Sequence, residues 1–293
     1  GRPVLFDAIE FSEKIATIDV LYDLAFLLMD LMRHGRRDAA NAVLNRYLHL
    51  RHEVEDLSGL AALPLFLATR AGVRALVTAD LVHELAAGDS LKQRGEALDY
   101  FRASIAYLKP RPPVLMCVGG LSGTGKTALA GAIAPELGAA PGAIHIRSDV
   151  ERKVLAGVKE TERLPAEAYA QERAGEVYDI LMQRAGRALR AGQAVVLDAV
   201  FARESERNGA ERLARELGVG FLGIWLEALQ EVLKARISAR CGDASDATVE
   251  VVDKQLQYNL GHISWTHVDA SGTMKDTAAA VRRTLPCPRG GPA

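Results

Sequence analysis

The order of apolar and polar residues along this chain predicts an α/β fold built on a parallel sheet, preceded by a mostly helical region. Three observations carry that expectation. A strand, a glycine-rich turn and a helix follow one another at 113–137, with the turn spelled Gly119-Gly120-Leu121-Ser122-Gly123-Thr124-Gly125-Lys126-Thr127. Short apolar strands then alternate with amphipathic helices as far as residue 285, the pattern of a sheet covered on both faces. Before them, helical periodicity dominates and breaks at the Pro-rich stretch Lys109-Pro110-Arg111-Pro112-Pro113, which forbids helix continuation.

Taken in order, Pro3–Phe6 reads as a short strand ending at Asp7. Leu21, Leu24, Leu28 and Leu31 recur at helical spacing, with Gly35 as a stop. Further helices are expected at 37–52, 57–71, 73–87 and 90–108, the last with Asp89 and Ser90 as caps and Pro110 as its close. The expected organisation is a helical region over 1–109, a linker at 110–113, an α/β domain over 114–285 and a disordered tail at 286–293. In the second half, strands are expected at 113–119, 143–146, 194–197, 220–226 and near 266–268. Helices are expected at 125–137, near Asp149, at 165–190, 203–217, 228–240, 248–260 and 273–284. The run Ala194-Val195-Val196-Leu197 is unbroken apolar, as a central parallel strand should be.

Composition bounds the function. Of 293 residues, 49% are hydrophobic and 25% charged, which is ordinary for a globular chain. The net charge of −1 argues against a broad nucleic-acid surface. Cys117, Cys241 and Cys287 are widely spaced and form no metal pattern, which suits a reducing, cytoplasmic setting. The apolar run Leu57–Thr69 stops at Arg70, short of a bilayer crossing, so no membrane span is expected. The chain begins at Gly1, and the strand beside it reads as the continuation of a longer protein.

Gly120 to Thr127 spell G-x-x-x-x-G-K-T, the phosphate-binding P-loop, in its strand–loop–helix context. Glycines let the backbone curl round an anion, and the helix N-terminus adds its dipole. Gly120, Leu121, Ser122, Gly123, Thr124, Gly125, Lys126, Thr127 and the following Ala128 are therefore the expected nucleotide contacts. Lys126 can reach the β- and γ-phosphates, and the Thr127 hydroxyl can ligate Mg²⁺. Open parallel sheets bind ligands at the carboxyl ends of their strands, where three more features fall. Asp149, after the second strand, is a candidate general base, with Arg152 one helical turn on to hold an anionic acceptor; the same spacing reads equally as an N-cap with a solvent-facing Arg. Asp198 closes the third strand where a Walker B acid would orient Mg²⁺. Arg236 and Arg240, one turn apart before the polar segment 241–246, are candidate lid residues for charge on the transferred phosphoryl group, with a solvated basic stripe as the alternative. Arg203 and Arg207 are weaker candidates for substrate contacts, and His145 reads as a structural histidine.

These motifs, G-L-S-G-T-G-K-T at 120–127, S-D-x-x-R at 148–152, V-V-L-D at 195–198 and R-x-x-x-R at 236–240, resemble the P-loop kinases that group with polynucleotide kinase, gluconate kinase, chloramphenicol phosphotransferase and zeta-type toxins. The resemblance covers about residues 113–285. It implies a five-stranded parallel sheet of order 2-3-1-4-5, Asp149 as general base, Arg152 as substrate anchor and Arg240 as lid arginine, with ATP and Mg²⁺ bound. Residues 2–105 resemble the C-terminal lobe of the aminoglycoside phosphotransferases, a kinase-like fold. That resemblance implies Asp7 as a former metal-binding Asp and Asp19 and Asp23 as its following acidic pair. The catalytic loop H-G-D-x-x-x-x-N and the ATP-clasping lobe of that family are absent from these residues, so no phosphotransferase activity is expected from this half. The whole resembles bacterial two-part proteins in which a phosphotransferase-like half is joined to a P-loop kinase half. The expected reaction moves the γ-phosphoryl group of ATP or GTP to a hydroxyl on a small molecule or nucleotide. The rival expectation is an ATP-hydrolysing regulatory module; a third, resting only on the resemblance of residues 2–105, is aminoglycoside phosphotransferase activity of the longer protein.

Overall fold

The computed structural model describes residues 17–84, 87–165, 171–239 and 245–285. The expected strand at Pro3–Phe6, Asp7, Arg240, Cys241, Cys287 and the tail from 286 lie outside them. By compactness the chain divides into two units, one formed by 1–36 and 62–109, the other by 37–61 and 110–293. Where the sequence suggests a single boundary at the Pro-rich stretch, the packing instead groups Arg37–Ala61 with the second half.

The first unit is helical. Its helices are α1 (Val20–Arg33), α4 (Leu63–Asp80) and α5 (Ala87–Tyr107), the labels α2 and α3 being kept for the intervening segment. Asp19 caps α1, its carboxylate accepting from the Leu21 N–H at 2.8 Å. Asp23 is paired with Arg70 at 3.5 Å and mostly exposed, and the Arg70 guanidinium lies 4.0 Å from the Tyr22 ring centroid. Leu28 and Met29 of α1 and Leu67 and Ala71 of α4 are fully buried. The expected helix break near Gly72 is absent. Gly72 faces Ser104 of α5, and a Cβ there would be in ordinary contact with its Oγ at 3.6 Å. The break falls instead at a 3₁₀ turn, Leu60–Ala62, because Pro64 sits at the first turn of α4. Since the helix runs on through Arg70, Val54–Asp80 is long and apolar enough to cross a membrane by length and composition. A third of its most apolar window is buried, with Leu57, Leu60, Leu63 and Leu67 fully so.

The second unit opens with α2 (Arg37–Arg51) and α3 (Val54–Gly59) and continues after the linker. Its further elements are β1 (Val114–Gly120), α6 (Lys126–Ile133), β2 (Ile144–Arg147), α7 (Ser148–Leu155), α8 (Gln171–Arg190), β3 (Val195–Asp198), α9 (Glu204–Glu216), β4 (Gly220–Glu227), α10 (Gln230–Ser238), α11 (Val249–Gln255), β5 (Thr266–Asp269) and α12 (Met274–Arg282). The five strands form one parallel sheet of order 2-3-1-4-5. Alternation sends Met116 and Val118 of β1 to one face, packed with Leu129 and Ile133 of α6 and Val281 of α12. Leu115 and Cys117 are fully buried toward the other face, where α8 and α9 pack on β1. There Trp265 lies edge-on to Phe201 and donates its indole N–H to Glu211 at 2.8 Å. In register, Val118 of β1 and Arg147 of β2 both stand opposite Asp198 of β3. That brings the carboxyl ends of the three central strands to one edge.

Candidate active site

The loop after β1 depends on glycine where its neighbours leave no room. Gly120 has φ 138°, and a Cβ there would lie 2.6 Å from the Leu226 carbonyl oxygen; Gly123 has φ 89°, with the Leu233 carbonyl 2.8 Å from the same position. Gly125, also left-handed, is the N-cap of α6, so the helix amides begin at Lys126. The buried Thr124 hydroxyl and the Lys126 ammonium both donate to the Leu121 carbonyl, at 2.8 and 3.1 Å. From outside, the Ser122 N–H donates to Gln255 Oε1 at 2.7 Å, and Gln255 itself is buried. These contacts hold a curved run of backbone N–H groups at a helix N-terminus, an arrangement that binds phosphate.

Beside the loop, the Thr127 hydroxyl donates to Asp198 Oδ2 at 2.5 Å. His145 Nε2 lies 3.5 Å and Arg147 Nε 3.8 Å from the same carboxylate oxygen. Burial alone would raise the pKa of Asp198, but His145, Lys126 and the Thr127 hydroxyl overcome it and hold the carboxyl below its ordinary value. Asp149, in the first turn of α7, is shifted the other way. Burial raises its pKa, the Asp198 charge adds to the rise, and Lys126, a hydrogen bond from Ser245 and Arg147 only partly offset it. Asp149, Asp198 and Lys126 thus share one electrostatic environment at the sheet edge. Among the described residues no group of three or more His, Cys, Asp and Glu is placed to hold a metal ion. Thr127 and Asp198 fit Mg²⁺, which takes few protein ligands and keeps waters and phosphate oxygens for the rest.

The residues expected to contact an acceptor lie around α7, α8 and the start of α9. Arg152 is half-buried and close enough to Tyr178 to act on its phenol electrostatically. The Tyr178 hydroxyl accepts from the Phe201 N–H at 2.8 Å and bonds Glu206, while burial drives its pKa well up. Phe201 is a non-glycine residue at φ 53°, fully buried in edge-on contact with Tyr178. Arg203 is exposed and starts α9, its N–H bonded to Glu206. Arg207, expected as a substrate contact, does other work. It is 2% exposed, and its guanidinium donates to the carbonyls of Phe201, Ala202, Leu260 and His262 at 2.6–3.0 Å. It braces the loop that leaves β3, so that expectation is corrected.

Of the two arginines expected in a lid, Arg236 donates to the Gly272 carbonyl at 2.7 Å. Asp246 ends the polar segment by accepting from Lys153 at 2.9 Å and from the Leu164 N–H at 3.0 Å. Lys153, only 1% exposed, also donates to the Glu162 carbonyl. Gln255, Ser245, Tyr178 and Lys153 escaped the sequence reading. Gln255 left one trace there, as an amide on an otherwise apolar helix face.

The AAA domain family matches residues 114–259. Over 281 residues the chain is 28% identical to uncharacterised proteins of Mycobacterium tuberculosis and Mycobacterium bovis, an alignment covering 93% of this chain and 53% of theirs. The chain therefore spans about half the length of the curated relatives it matches. Among solved structures it is similar to a gluconokinase from Sinorhizobium meliloti (21% identity, TM-score 0.41, covering 59% of this chain and 94% of that one). It is also similar to a putative kinase from Chloroflexus aurantiacus (22%, 0.42, 60% and 100%). A third is the Mycobacterium tuberculosis APS kinase in complex with AMPPNP and APS (17%, 0.40, 59% and 97%).

Proposed function

We propose that the second unit is a kinase that moves the γ-phosphoryl group of ATP to a hydroxyl of a small molecule or nucleotide. The observation that carries this reading is the position of Asp149: a carboxylate of raised pKa beside both Lys126 and Asp198. A raised pKa brings a carboxylate closer to neutrality, where it serves better as a general base.

In this reading the loop amides and Lys126 hold the β- and γ-phosphates. Thr127 and Asp198 would hold Mg²⁺, which offsets phosphate charge when bound. Asp149 takes the acceptor proton as the acceptor oxygen bonds to the γ-phosphorus and the bond to the β–γ bridging oxygen breaks. ADP leaves with the electron pair of that bond. Arg152 would anchor an anionic group of the acceptor, and Arg236 and Arg240 would close over the phosphates. The helical unit receives no reaction in this proposal.

The test is Asp149→Asn in the full chain, followed by acceptor-dependent ADP release across a metabolite panel. Loss of proton removal is expected to lower transfer by about 10²–10⁴-fold, with AMPPNP affinity unchanged within about twofold. Transfer at the wild-type rate would remove Asp149 from the role. ATP turnover that no acceptor accelerates would replace the kinase reading with a hydrolytic module.

A further inference from the structure

We propose that α2, which lies outside the span matched by the AAA domain family, is a positioning element of the phosphoryl-transfer site, with Asn45 as its key positioning residue. The inference rests on the roles given above to Asp198 and Asp149. β2 is an edge strand, and its outer edge would otherwise present unpaired backbone groups. Instead α2 reads that edge rung by rung. Arg37 Nε donates to the Pro141 carbonyl at 3.1 Å. Asn41 and Asn45 donate to the Ala143 carbonyl at 3.0 and 3.2 Å, and Asn45 Oδ1 accepts from the His145 N–H at 2.7 Å. His49 reaches Glu160 at 3.2 Å, and Glu160 faces Arg147 at 3.6 Å.

Residues 37, 41 and 45 thus address the backbone of 141, 143 and 145, while His49 reaches the Arg147 side chain through Glu160. Four helical residues rise about 6 Å and two strand residues about 6.6 Å, so one helical turn matches one strand repeat. Gly142 permits the approach, since a Cβ there would lie 2.8 Å from Asn41 Nδ2.

The last two rungs carry the consequence. His145 and Arg147 are the residues whose side chains stand 3.5 and 3.8 Å from Asp198. Just past the helix, His52 Nε2 lies 2.8 Å from Glu151, a buried carboxylate two residues after Asp149 and 3.2 Å from Arg184. The segment 37–52 therefore holds the backbone before Asp149 and the Glu151 side chain after it, and sets where the His145 and Arg147 side chains meet Asp198. Displacements of about 1 Å at a reacting centre can change rates about 10²-fold.

The experiment is calorimetric titration of the full chain with AMPPNP, with and without Mg²⁺. Asn45→Leu removes the donor and the acceptor while keeping the number and branching of the side-chain heavy atoms. The expected result is unchanged metal-free affinity with the Mg²⁺ enhancement reduced about tenfold or more. Asn45→Asp keeps the acceptor for the His145 N–H but turns an oxygen toward the Ala143 carbonyl and the Asn41 carbonyl and Oδ1, so it is expected to recover only part of the enhancement. Leu44→Ala, in the buried face of the same helix, is expected to lower Tm and leave the enhancement alone. Asn45→Ser, too short for both contacts, is read in the same way should Asn45→Leu fail to fold. Wild-type enhancement in Asn45→Leu or Asn45→Ser, or an equal loss in Leu44→Ala, would overturn the inference and leave the kinase reading standing. A wild-type chain that binds no AMPPNP in either condition would overturn the kinase reading, and this inference with it.

Discussion

Asp149 and Asp198 stand at one edge of the sheet and are perturbed in opposite directions, and the difference lies in their partners. Asp198 has the Thr127 hydroxyl, His145 and Arg147 around it, so its ionised form is held despite burial. Asp149 is buried against the Asp198 charge with less to compensate it. The consequence for stability follows from the sign of each shift. A carboxyl with a raised folded pKa costs stability once pH exceeds its unfolded value of about 3.9, and the full cost is reached above the folded pKa. Asp149→Asn is therefore expected to raise Tm at pH 7, with the gain vanishing as pH falls to about 4. Thermal melts at both pH values check this, and an equal gain at both would show that the charge is not the cause. For Asp198 the sign is reversed: its ionised form adds stability above the ordinary carboxylate pKa and loses it as pH drops through the depressed value. The P-loop residues and the two aspartates were legible in the sequence because motif and strand-end position mark them. Gln255 was not, since it lies 133 residues from the Ser122 amide it braces. Arg207 misled for a related reason: a buried guanidinium serving four carbonyls carries the same letter as a substrate-binding one.

At the level of elements, all five strands fall where the sequence reading expects them, and the sheet order is the one the resemblance to P-loop kinases implies. Helix ends were harder to place, as at Gly72, where the helix runs on through a glycine that the sequence reads as a break. In β4 a glycine is required by packing. Gly223 lies under Trp265, and a Cβ there would fall 2.4–2.6 Å from three indole ring atoms. The indole is fixed from its other side by Phe201 and by Glu211, so it has little freedom to yield. Gly223→Ala is expected to destabilise the unit by about 1–3 kcal/mol through overpacking. A denaturant midpoint unchanged from wild type would mean that the ring moves freely, which its contacts argue against. Because Phe201 sits in the same aromatic cluster and lies three residues after Asp198, the strain should also reach the acceptor side.

For the whole molecule, the informative feature is that the second unit is assembled from two separated stretches of chain. No local sequence signal announces this. Arg37, Asn41 and Asn45 read as the polar face of an ordinary amphipathic helix, and the strand they seal lies about a hundred residues downstream. A fragment beginning at Pro110 would leave the Ala143 carbonyl and the His145 N–H without those partners on an open edge. Such a fragment is expected to associate with rising concentration, where the full chain shows no comparable edge at β2. Sedimentation measurements on the two decide it, and a monodisperse, fully cooperative fragment would show the helix to be dispensable.

The same ladder also bears on how the protein is made. Asn45 leaves the ribosome long before His145, so the helix must wait for the edge that completes it. Closing that interval means ordering a long loop, and its entropy grows with separation. Contacts of this range slow folding. The segment synthesised first would then be among the last to lock, and the nucleotide-binding unit would reach its final form only after residues from both ends of its interrupted chain had met.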